Sequence, residues 1–200
     1  MNFLCARVEK LDADDEKKFF RILYYLHGTR SLGITLKFTS SKPTINVFVD
    51  AAYGINPDRK SQTGLCIQLD TATMIARSGK QKIVTKSSTE AELVACSDSV
   101  SYGISLLRLL NELEVPNSGI LVHQDNLSTM RLIENNKSTS QRTLHIDVKY
   151  FFLRDRLLRK QLKLVHTPTE EMIADILTKP LQGLQFTKLR ALMMHCGPTP

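Results

Sequence analysis

The order of strand and helix patterns is the feature that most limits how this chain can fold. Short apolar strands are predicted at residues 44–50, 64–70 and 71–78, with short polar connections between them, as is typical of an antiparallel meander. Later strands at 119–125 and 162–167 are separated by helical segments, which favours parallel pairing with the meander. The sequence therefore predicts an α/β fold in which a mixed five-stranded sheet carries helices on both faces.

Helical periodicity fills the intervals between these strands. A long helix is predicted over 87–115, where apolar residues recur at helical spacing and Pro116 ends the pattern. Glu92 lies in its first turns, on a face that continues through small residues able to approach a sheet closely: Ala95, Cys96, Ser99 and Gly103. Further helices are predicted at 127–136, 143–161, 169–180 and 183–195.

The first 42 residues have a separate pattern. An amphipathic helix is predicted at 12–27, with acids in its first turn and an apolar face formed by Phe19, Ile22, Leu23 and Leu26. A short strand is predicted at 31–38. This segment is too small to fold alone, so we expect it to pack on the remainder or on something absent. An exposed part of its apolar face would make the isolated chain prone to association.

Charge and cysteine content narrow the class of partner. The chain has 27 Lys and Arg against 20 Asp and Glu, a net charge of +7, which fits a polyanionic partner. Four cysteines form no Cys-x-x-Cys pair and lack ligand spacing with the histidines, so we expect them reduced, buried and without zinc: Cys5, Cys66, Cys96 and Cys196. No apolar run approaches the ~18 residues of a membrane helix and no signal peptide is evident, so we expect an intracellular protein with no membrane partner.

Acidic residues lie beyond the carboxyl ends of predicted strands, which is where open α/β sheets bind their ligands. Asp50 ends the first strand of the sheet, Asp125 ends the fourth, and Asp175 follows the last. If the first and fourth strands are parallel neighbours, Asp50 and Asp125 lie side by side and repel unless a cation bridges them. Mg²⁺ suits such carboxylates, and two ions about 4 Å apart can activate a water and stabilise the leaving oxygen of a phosphodiester. For each acid taken alone, a turn or a helix cap is the alternative interpretation.

Glu90 and Glu92 lie at the start of the long helix, and because they are two positions apart they lie on different faces of it. Ser87 with Glu90, and Thr89 with Glu92, each have the spacing of a capping box. We predict that Glu92 belongs to the site and that Glu90 caps the helix.

Six segments occur in one order along the chain: VDAAYG (49–54), DRKSQTG (58–64), KQKIVTKSSTEAEL (80–93), HQDN (123–126), QRTLHIDVKYFF (141–152) and ADILTKPL (174–181). Together they resemble the ribonuclease H domain of copia-type retrotransposon polyproteins. The resemblance spans residues 43–182. Residues 1–42 resemble the C-terminal region of the reverse transcriptase that precedes this domain, and 183–200 form a C-terminal helix and tail.

The resemblance implies a ribonuclease H-like fold and endonucleolytic cleavage of RNA in RNA–DNA hybrids with two Mg²⁺ or Mn²⁺ ions. It assigns the catalytic and metal-binding roles to four carboxylates: Asp50, Glu92, Asp125 and Asp175. The paired-aspartate palm motif has no counterpart, so no polymerase activity is expected from this chain alone. The implied partners are the hybrid and the rest of the retroelement polyprotein, in a cytoplasmic virus-like particle or in the nucleus.

Two positions deserve comparison with the family pattern. Position 52 is Ala where many members carry a second Asp, which is not a core ligand. His166 is the candidate for the histidine that aids product release in cellular ribonucleases H, and an ordinary hydrogen bond at a strand end is its alternative.

Candidates for substrate contact lie around these acids and on the basic helix 143–161: Arg59, Lys60, Gln124, Asn126, Arg142 and Lys149. The basic face could follow phosphates without reading sequence, or it could simply be solvated. Asn126 has a second interpretation as the cap of the helix beginning near Leu127. Three neighbouring aromatic residues are predicted in the core instead of stacking on bases: Tyr150, Phe151 and Phe152.

Two other functions remain open from the sequence. The chain could be an inactive retroelement remnant that binds nucleic acid or a protein partner, although drift has no reason to spare four carboxylates together. It could also be a DNA-cutting integrase relative on the same fold, although such enzymes usually use three acids in a different pattern.

Overall fold

One five-stranded sheet organises the chain, in the spatial order β3-β2-β1-β4-β5. The computed structural model describes residues 2–5, 7–37, 40–135 and 144–194. The strands are β1 (Ile45–Ala52), β2 (Gln62–Leu69), β3 (Ala72–Lys80), β4 (Ile120–Gln124) and β5 (Leu162–His166). The α-helices are α1 (Asn2–Cys5), α2 (Ala13–Gly28), α3 (Ser88–Glu112), α4 (Leu127–Glu134), α5 (Leu144–Leu158) and α6 (Gly183–Met194). Short 3₁₀ helices occur at Val8–Lys10, Thr169–Glu171 and Ile173–Leu177.

Strand β1 lies at the centre of the sheet and joins its two halves. It pairs antiparallel with β2, where Asp50 faces Gly64, and parallel with β4, where Phe48 faces His123. The predicted mixture of a meander with parallel strands is therefore confirmed. Because β1 and β4 run in the same direction, their carboxyl ends meet at one edge of the sheet.

Helix α3 covers one face of the sheet. Ser87 caps the N-terminus of this helix, and its hydroxyl accepts a hydrogen bond from the Glu90 amide. The Glu90 carboxylate accepts a hydrogen bond from the amide of Lys86. The Glu92 face is buried along its length, as the small residues on it predicted. At Gly103 a Cβ would lie 3.0 Å from Cγ2 of Val47, so this glycine permits the close approach of helix and strand.

The opposite face is covered by the 3₁₀ helix Ile173–Leu177 and by α6, so helices on both faces are confirmed. The single helix predicted at 169–180 is wrong, because two 3₁₀ helices separated by Met172 occupy this stretch. Met172 has an extended backbone, with φ −72° and ψ 91°, and its side chain is fully buried. Continuous helix is lost here because the chain instead inserts this side chain into the interior.

The N-terminal helix α2 is present close to its predicted bounds, with Asp12 and Asp15 forming a reciprocal capping box. Much of its apolar face is exposed, Leu23 and Leu26 by 42% and 55%. The strand predicted at 31–38 is wrong over its described part, residues 31–37. There the amide of Thr35 donates to a carbonyl of α6, so this segment takes its backbone partner from a helix.

Two expectations about burial are wrong in part. Cys66 and Cys96 are buried as predicted, but Cys5 is exposed, and Cys196 lies outside the described residues. On α5 the side chain of Tyr150 is buried, whereas Phe151 is 55% exposed. Phe152 is half-buried beneath the guanidinium of Arg156.

Helix α3 also corrects the expectation about apolar runs. By length and composition it could cross a membrane, and half of its apolar stretch is buried inside the protein.

Candidate active site

Three carboxylates converge where the parallel strands β1 and β4 end. The ligand oxygens of Asp50, Glu92 and Asp125 lie within 4.8 Å of one another. Asp50 comes from β1, Glu92 from the second turn of α3, and Asp125 directly follows β4. Asp50 and Glu92 are buried, while Asp125 is half-buried and gives the cluster its access to solvent.

The carboxylate of Glu92 is fixed by two neighbours. Its Oε1 accepts a hydrogen bond from the amide of Ala51 at 3.1 Å, and its Oε2 accepts one from Nε2 of Gln124 at 3.1 Å. The side-chain carbonyl of Gln124 accepts from the amides of Asp125 and Asn126 at 2.9 and 3.0 Å. Gln124 therefore links the end of β4 to the carboxylate on α3.

This position of Gln124 corrects its sequence-based interpretation as a substrate contact. Its side chain is fully buried and its amide nitrogen also donates to Sγ of Cys96, so it offers no surface to a substrate. The sequence carried no signal for this role, because Gln124 and Glu92 are 32 positions apart.

The fourth predicted acid, Asp175, joins the cluster indirectly. It lies buried on the 3₁₀ helix Ile173–Leu177. The ammonium of Lys179 is 2.8 Å from Oδ1 of Asp175 and 3.4 Å from Oδ1 of Asp50, and so connects the two carboxylates. The hydroxyl of Thr178 donates to Oδ2 of Asp50.

Sequence reasoning missed Lys179 and Thr178 as members of the site. The available signal was the spacing inside ADILTKPL, where Lys179 follows Asp175 by four positions. Such spacing permits an ion pair over one turn, but which second carboxylate completes it depends on tertiary structure.

The electrostatics of the cluster favour an added cation. Burial, then the charge of Asp50, raises the pKa of Glu92 to about 8, and the same two causes raise the pKa of Asp125. Burial raises the pKa of Asp175 to about 6. Burial alone would lower the pKa of Lys179, but its hydrogen bond to Asp175 and the surrounding carboxylates outweigh that effect and raise it.

These residues fit a hard divalent cation. The donors are carboxylate oxygens, which Mg²⁺ and Mn²⁺ prefer, and three of them already lie close together at a partly open edge. Lys179 shows that this region holds positive charge between Asp50 and Asp175. The structure therefore brings together Asp50, Glu92 and Asp125, and places Asp175 beside them through Lys179.

The remaining candidates lie outside this cluster. Asn126 caps α4 by accepting from the amide of Thr129 at 3.0 Å. In the loop after β1, Arg59 is exposed in a left-handed conformation and Lys60 pairs with Asp58 at 3.7 Å. Lys149 pairs with Asp98 of α3, and Arg142 lies outside the described residues.

Two histidines near this edge have different surroundings. His166 ends β5 and is exposed. His123 stacks on Phe48, and its ring nitrogens contact Thr167 Oγ1 at 2.8 Å and Asn46 Oδ1 at 3.1 Å. Burial lowers the pKa of His123 to about 4, which favours a neutral structural ring.

Comparison with known proteins identifies the relatives of this chain, although no protein-family model matches it. It is 35% identical over 176 residues to the retrovirus-related Pol polyprotein from transposon TNT 1-94 of Nicotiana tabacum, covering 87% of the chain and 13% of that protein. It is 31% identical over 181 residues to the transposon Ty1-JR2 Gag-Pol polyprotein of Saccharomyces cerevisiae, covering 88% of the chain and 10% of that protein. The chain is a homologue of retrotransposon Pol polyproteins. This Pol homologue spans about a tenth of the length of the curated relatives it matches.

Solved structures similar to the Pol homologue include two ribonucleases H. LC11-RNase H1, isolated from compost, is 21% identical with a TM-score of 0.49, covering 69% of this chain and 93% of that one. RNase H1 from the halophilic archaeon Halobacterium salinarum is 13% identical with a TM-score of 0.47, covering 63% of this chain and 86% of that one.

Proposed function

We propose that this chain is a divalent-metal-dependent ribonuclease H that cleaves the RNA strand of RNA–DNA hybrids. The observation that carries the proposal is the convergence of Asp50, Glu92 and Asp125 within 4.8 Å at the edge where β1 and β4 end. Homology to retrotransposon Pol polyproteins supports it, because the six sequence segments resemble the ribonuclease H domain of that family.

The carboxylates would hold the metal. Asp50, Glu92 and Asp125 form the close set, and Asp175 extends it on the side of Lys179. Divalent ions held there would supply activation of a water and stabilisation of charge at the leaving oxygen. The reaction adds water across one phosphodiester, so that the bond from phosphorus to the 3′ oxygen breaks.

The neighbouring side chains position these groups. Gln124 and the Ala51 amide orient Glu92, and the Thr178 hydroxyl orients Asp50. Lys179 lies between Asp50 and Asp175 and offsets part of the repulsion between their carboxylates. No side chain is required as the nucleophile.

Substrate recognition would rest on the shape and 2′-hydroxyls of the hybrid, without base-specific contacts. Arg59, Lys60 and Asn126 lie in the segments that directly follow β1 and β4, and we propose contacts to the backbone from these residues. Contacts from Arg142 and Lys149 remain part of the same proposal, as does association with other parts of a retroelement polyprotein.

The test is cleavage of a labelled RNA–DNA hybrid with Mg²⁺, beside matched RNA and DNA duplexes. We expect cutting of the hybrid alone, and its loss in Asp125→Asn, which keeps the shape of the side chain but removes its charge. Asp155→Asn is the matched control, because Asp155 pairs with Arg159 on the surface of α5. Retained hybrid binding without any cutting would contradict the proposal and indicate the inactive, nucleic-acid-binding remnant.

A further inference from the structure

Helix α2 carries large apolar side chains on the outside of the protein. Phe19, Phe20, Leu23 and Leu26 are each between 42% and 55% exposed, and Tyr24 is more exposed still. Single exposed apolar residues are ordinary, but a contiguous exposed patch usually marks an interface. These residues follow one another along one helix, so they form such a patch, which we call the α2 patch.

A contact with α6 attaches α2 to the rest of the chain. The ring of Tyr25 meets that of Phe186 edge to face, with centroids 5.9 Å apart, and its hydroxyl accepts a hydrogen bond from Arg190 at 3.3 Å. Near its other end Asp15 is buried and accepts a hydrogen bond from Arg7 at 2.7 Å. Among the described elements, no helix or strand packs along the length of α2. The α2 patch is therefore open to solvent.

The α2 patch has the spacing of a face that packs against another helix. Glu16, Phe19, Leu23 and Leu26 recur at intervals of three and four, so they stay on one side of the helix. The helix has 16 residues and is therefore about 24 Å long. An interface of this length is small, which favours association that depends on protein concentration.

The two ends of the α2 patch carry opposite charges. Glu16 lies seven residues before Leu23 and Arg30 lies seven residues after it, and both are exposed. Neither forms an ion pair in the part of the chain that the structure describes. Nε2 of His27 lies 3.3 Å from the guanidinium of Arg30, which keeps that cation beside the last turn of α2. An identical face turned end for end would therefore bring acid to base at both ends.

We propose that two copies of this chain associate through α2, packed antiparallel about a two-fold axis close to Leu23. The two apolar patches bury each other, and Glu16 of each copy pairs with Arg30 of the other. In a two-fold contact each favourable pair occurs twice. A parallel arrangement would bring Glu16 against Glu16 and Arg30 against Arg30, so charge selects the antiparallel one. The contact uses none of the four site carboxylates, so it goes beyond the hydrolytic function proposed above.

The experiment is sedimentation equilibrium of the full chain, over a series from about 1 to 500 μM because the interface is small. We expect the molar mass to rise from that of a monomer to that of a dimer. Leu23→Glu places like charges at the axis and should weaken association by about tenfold or more. Glu16→Arg and Arg30→Glu, each tested alone, should have the same effect, because like charges then meet at both ends.

Mixing the two charge variants tests the antiparallel geometry. In an equimolar mixture of Glu16→Arg and Arg30→Glu, one chain carries a cation at both positions and the other a carboxylate. The mixed dimer regains both ion pairs, so the mixture should associate about as tightly as the unmodified chain. Glu112→Arg on α3 and Leu158→Glu on α5 are matched controls at exposed positions and should leave association unchanged. Circular dichroism checks that each variant keeps its helices.

Two results would overturn the proposal. A chain that stays monomeric over the whole series would leave the α2 patch to another part of a Pol polyprotein. Association that the single charge reversals do not weaken, or that mixing does not restore, would indicate unspecific apolar contact. Asp125→Asn should associate as the unmodified chain does, so failure of this test is distinguishable from failure of the cleavage test.

Discussion

Gln124 connects the end of β4 to the carboxylate of Glu92 and fixes the orientation of that carboxylate. Its amide nitrogen donates to Glu92 and its carbonyl accepts from two successive backbone amides. All of these atoms are buried or half-buried, so water cannot substitute readily for the lost partners. The orientation of Glu92 thus depends on a side chain that never meets the substrate.

Replacing Gln124 with Met should lower hybrid cleavage by roughly 10–100-fold, the usual cost of losing a residue that orients a metal ligand. The measurement is the cleavage rate over a range of Mg²⁺ concentrations, together with calorimetric Mg²⁺ affinity in the absence of substrate. A variant with unchanged rate and metal affinity would contradict the positioning role.

Lys179 is the cation that pairs with the carboxylates of Asp50 and Asp175 among the described residues. Replacing it with Met leaves Asp50 and Asp175 without this counter-charge, so metal-free stability at pH 8 should fall by about 1–3 kcal/mol, less than for a fully buried pair because Lys179 is 37% exposed. Urea unfolding in EDTA measures the change, and saturating Mg²⁺ should reduce the difference. Equal stability of the two proteins in EDTA would refute this account.

At the scale of single residues, the sequence predicted the acids better than their partners. Asp50 and Asp125 follow apolar strands, and Glu92 lies on a face of small residues, so local pattern was enough to select them. Gln124 and Lys179 act across 32 and 129 positions, on Glu92 and Asp50. Such pairings depend on strand order and packing, which no local spacing records.

At the scale of the elements, the contact between β2 and the 3₁₀ helix Ile173–Leu177 fixes the position of Asp175 relative to the sheet. Gly64 makes this contact possible, because a Cβ there would lie 2.6 Å from the carbonyl oxygen of Ala174 and 2.8 Å from Cγ2 of Thr178. A backbone oxygen cannot turn aside as a flexible side chain can.

Gly64→Ala should therefore cost about 1–3 kcal/mol of stability and also reduce cleavage, since the segment carrying Asp175 must shift. Gly103→Ala is the matched comparison. Its Cβ would meet the side chains of Val47 at 3.0 Å and Ile120 at 3.7 Å, on a part of α3 away from the acids, so stability should fall without a comparable loss of rate. Urea unfolding and hybrid cleavage of both variants test this difference. If Gly64→Ala keeps full activity, the segment does not fix Asp175 as described.

Element prediction failed where tertiary contacts override local pattern. The stretch 169–180 has acids followed by apolar residues, as a helix would, but burial of Met172 divides it into two 3₁₀ helices. The stretch 31–37 has strand-like residues but bonds to α6 instead of to a strand. In contrast, all five sheet strands were predicted, because each is bounded by turn residues and has a buried apolar pattern.

The stability of the whole molecule should decrease as pH rises when metal is absent. The pKa of Glu92 is raised from 4.5 to about 8 and that of Asp175 from 3.8 to about 6. Between the unfolded and folded values the native state binds more protons than the unfolded state, so stability falls as pH rises from about 4 to 8. Thermal melting in EDTA across this range measures the effect.

Two comparisons sharpen that measurement. Mg²⁺ should stabilise the protein more at pH 8 than at pH 5, because it competes with protons for the same carboxylates. Glu92→Gln should flatten the dependence between pH 5 and 8 by removing the larger shift. Stability that rises with pH in EDTA would contradict the raised pKa values of Glu92 and Asp175.

The hydrogen bond from Thr178 to Asp50 has a consequence for the order of folding, since it joins residues 128 positions apart. Closing so long a loop costs chain entropy before the contact repays it, so this part of the site should assemble late. During synthesis the residues of β1 to β4 and of α3 are translated before residues 173–179. A nascent chain whose sheet has folded through β4 would hold three acids together before Lys179, which offsets part of their charge, has been made.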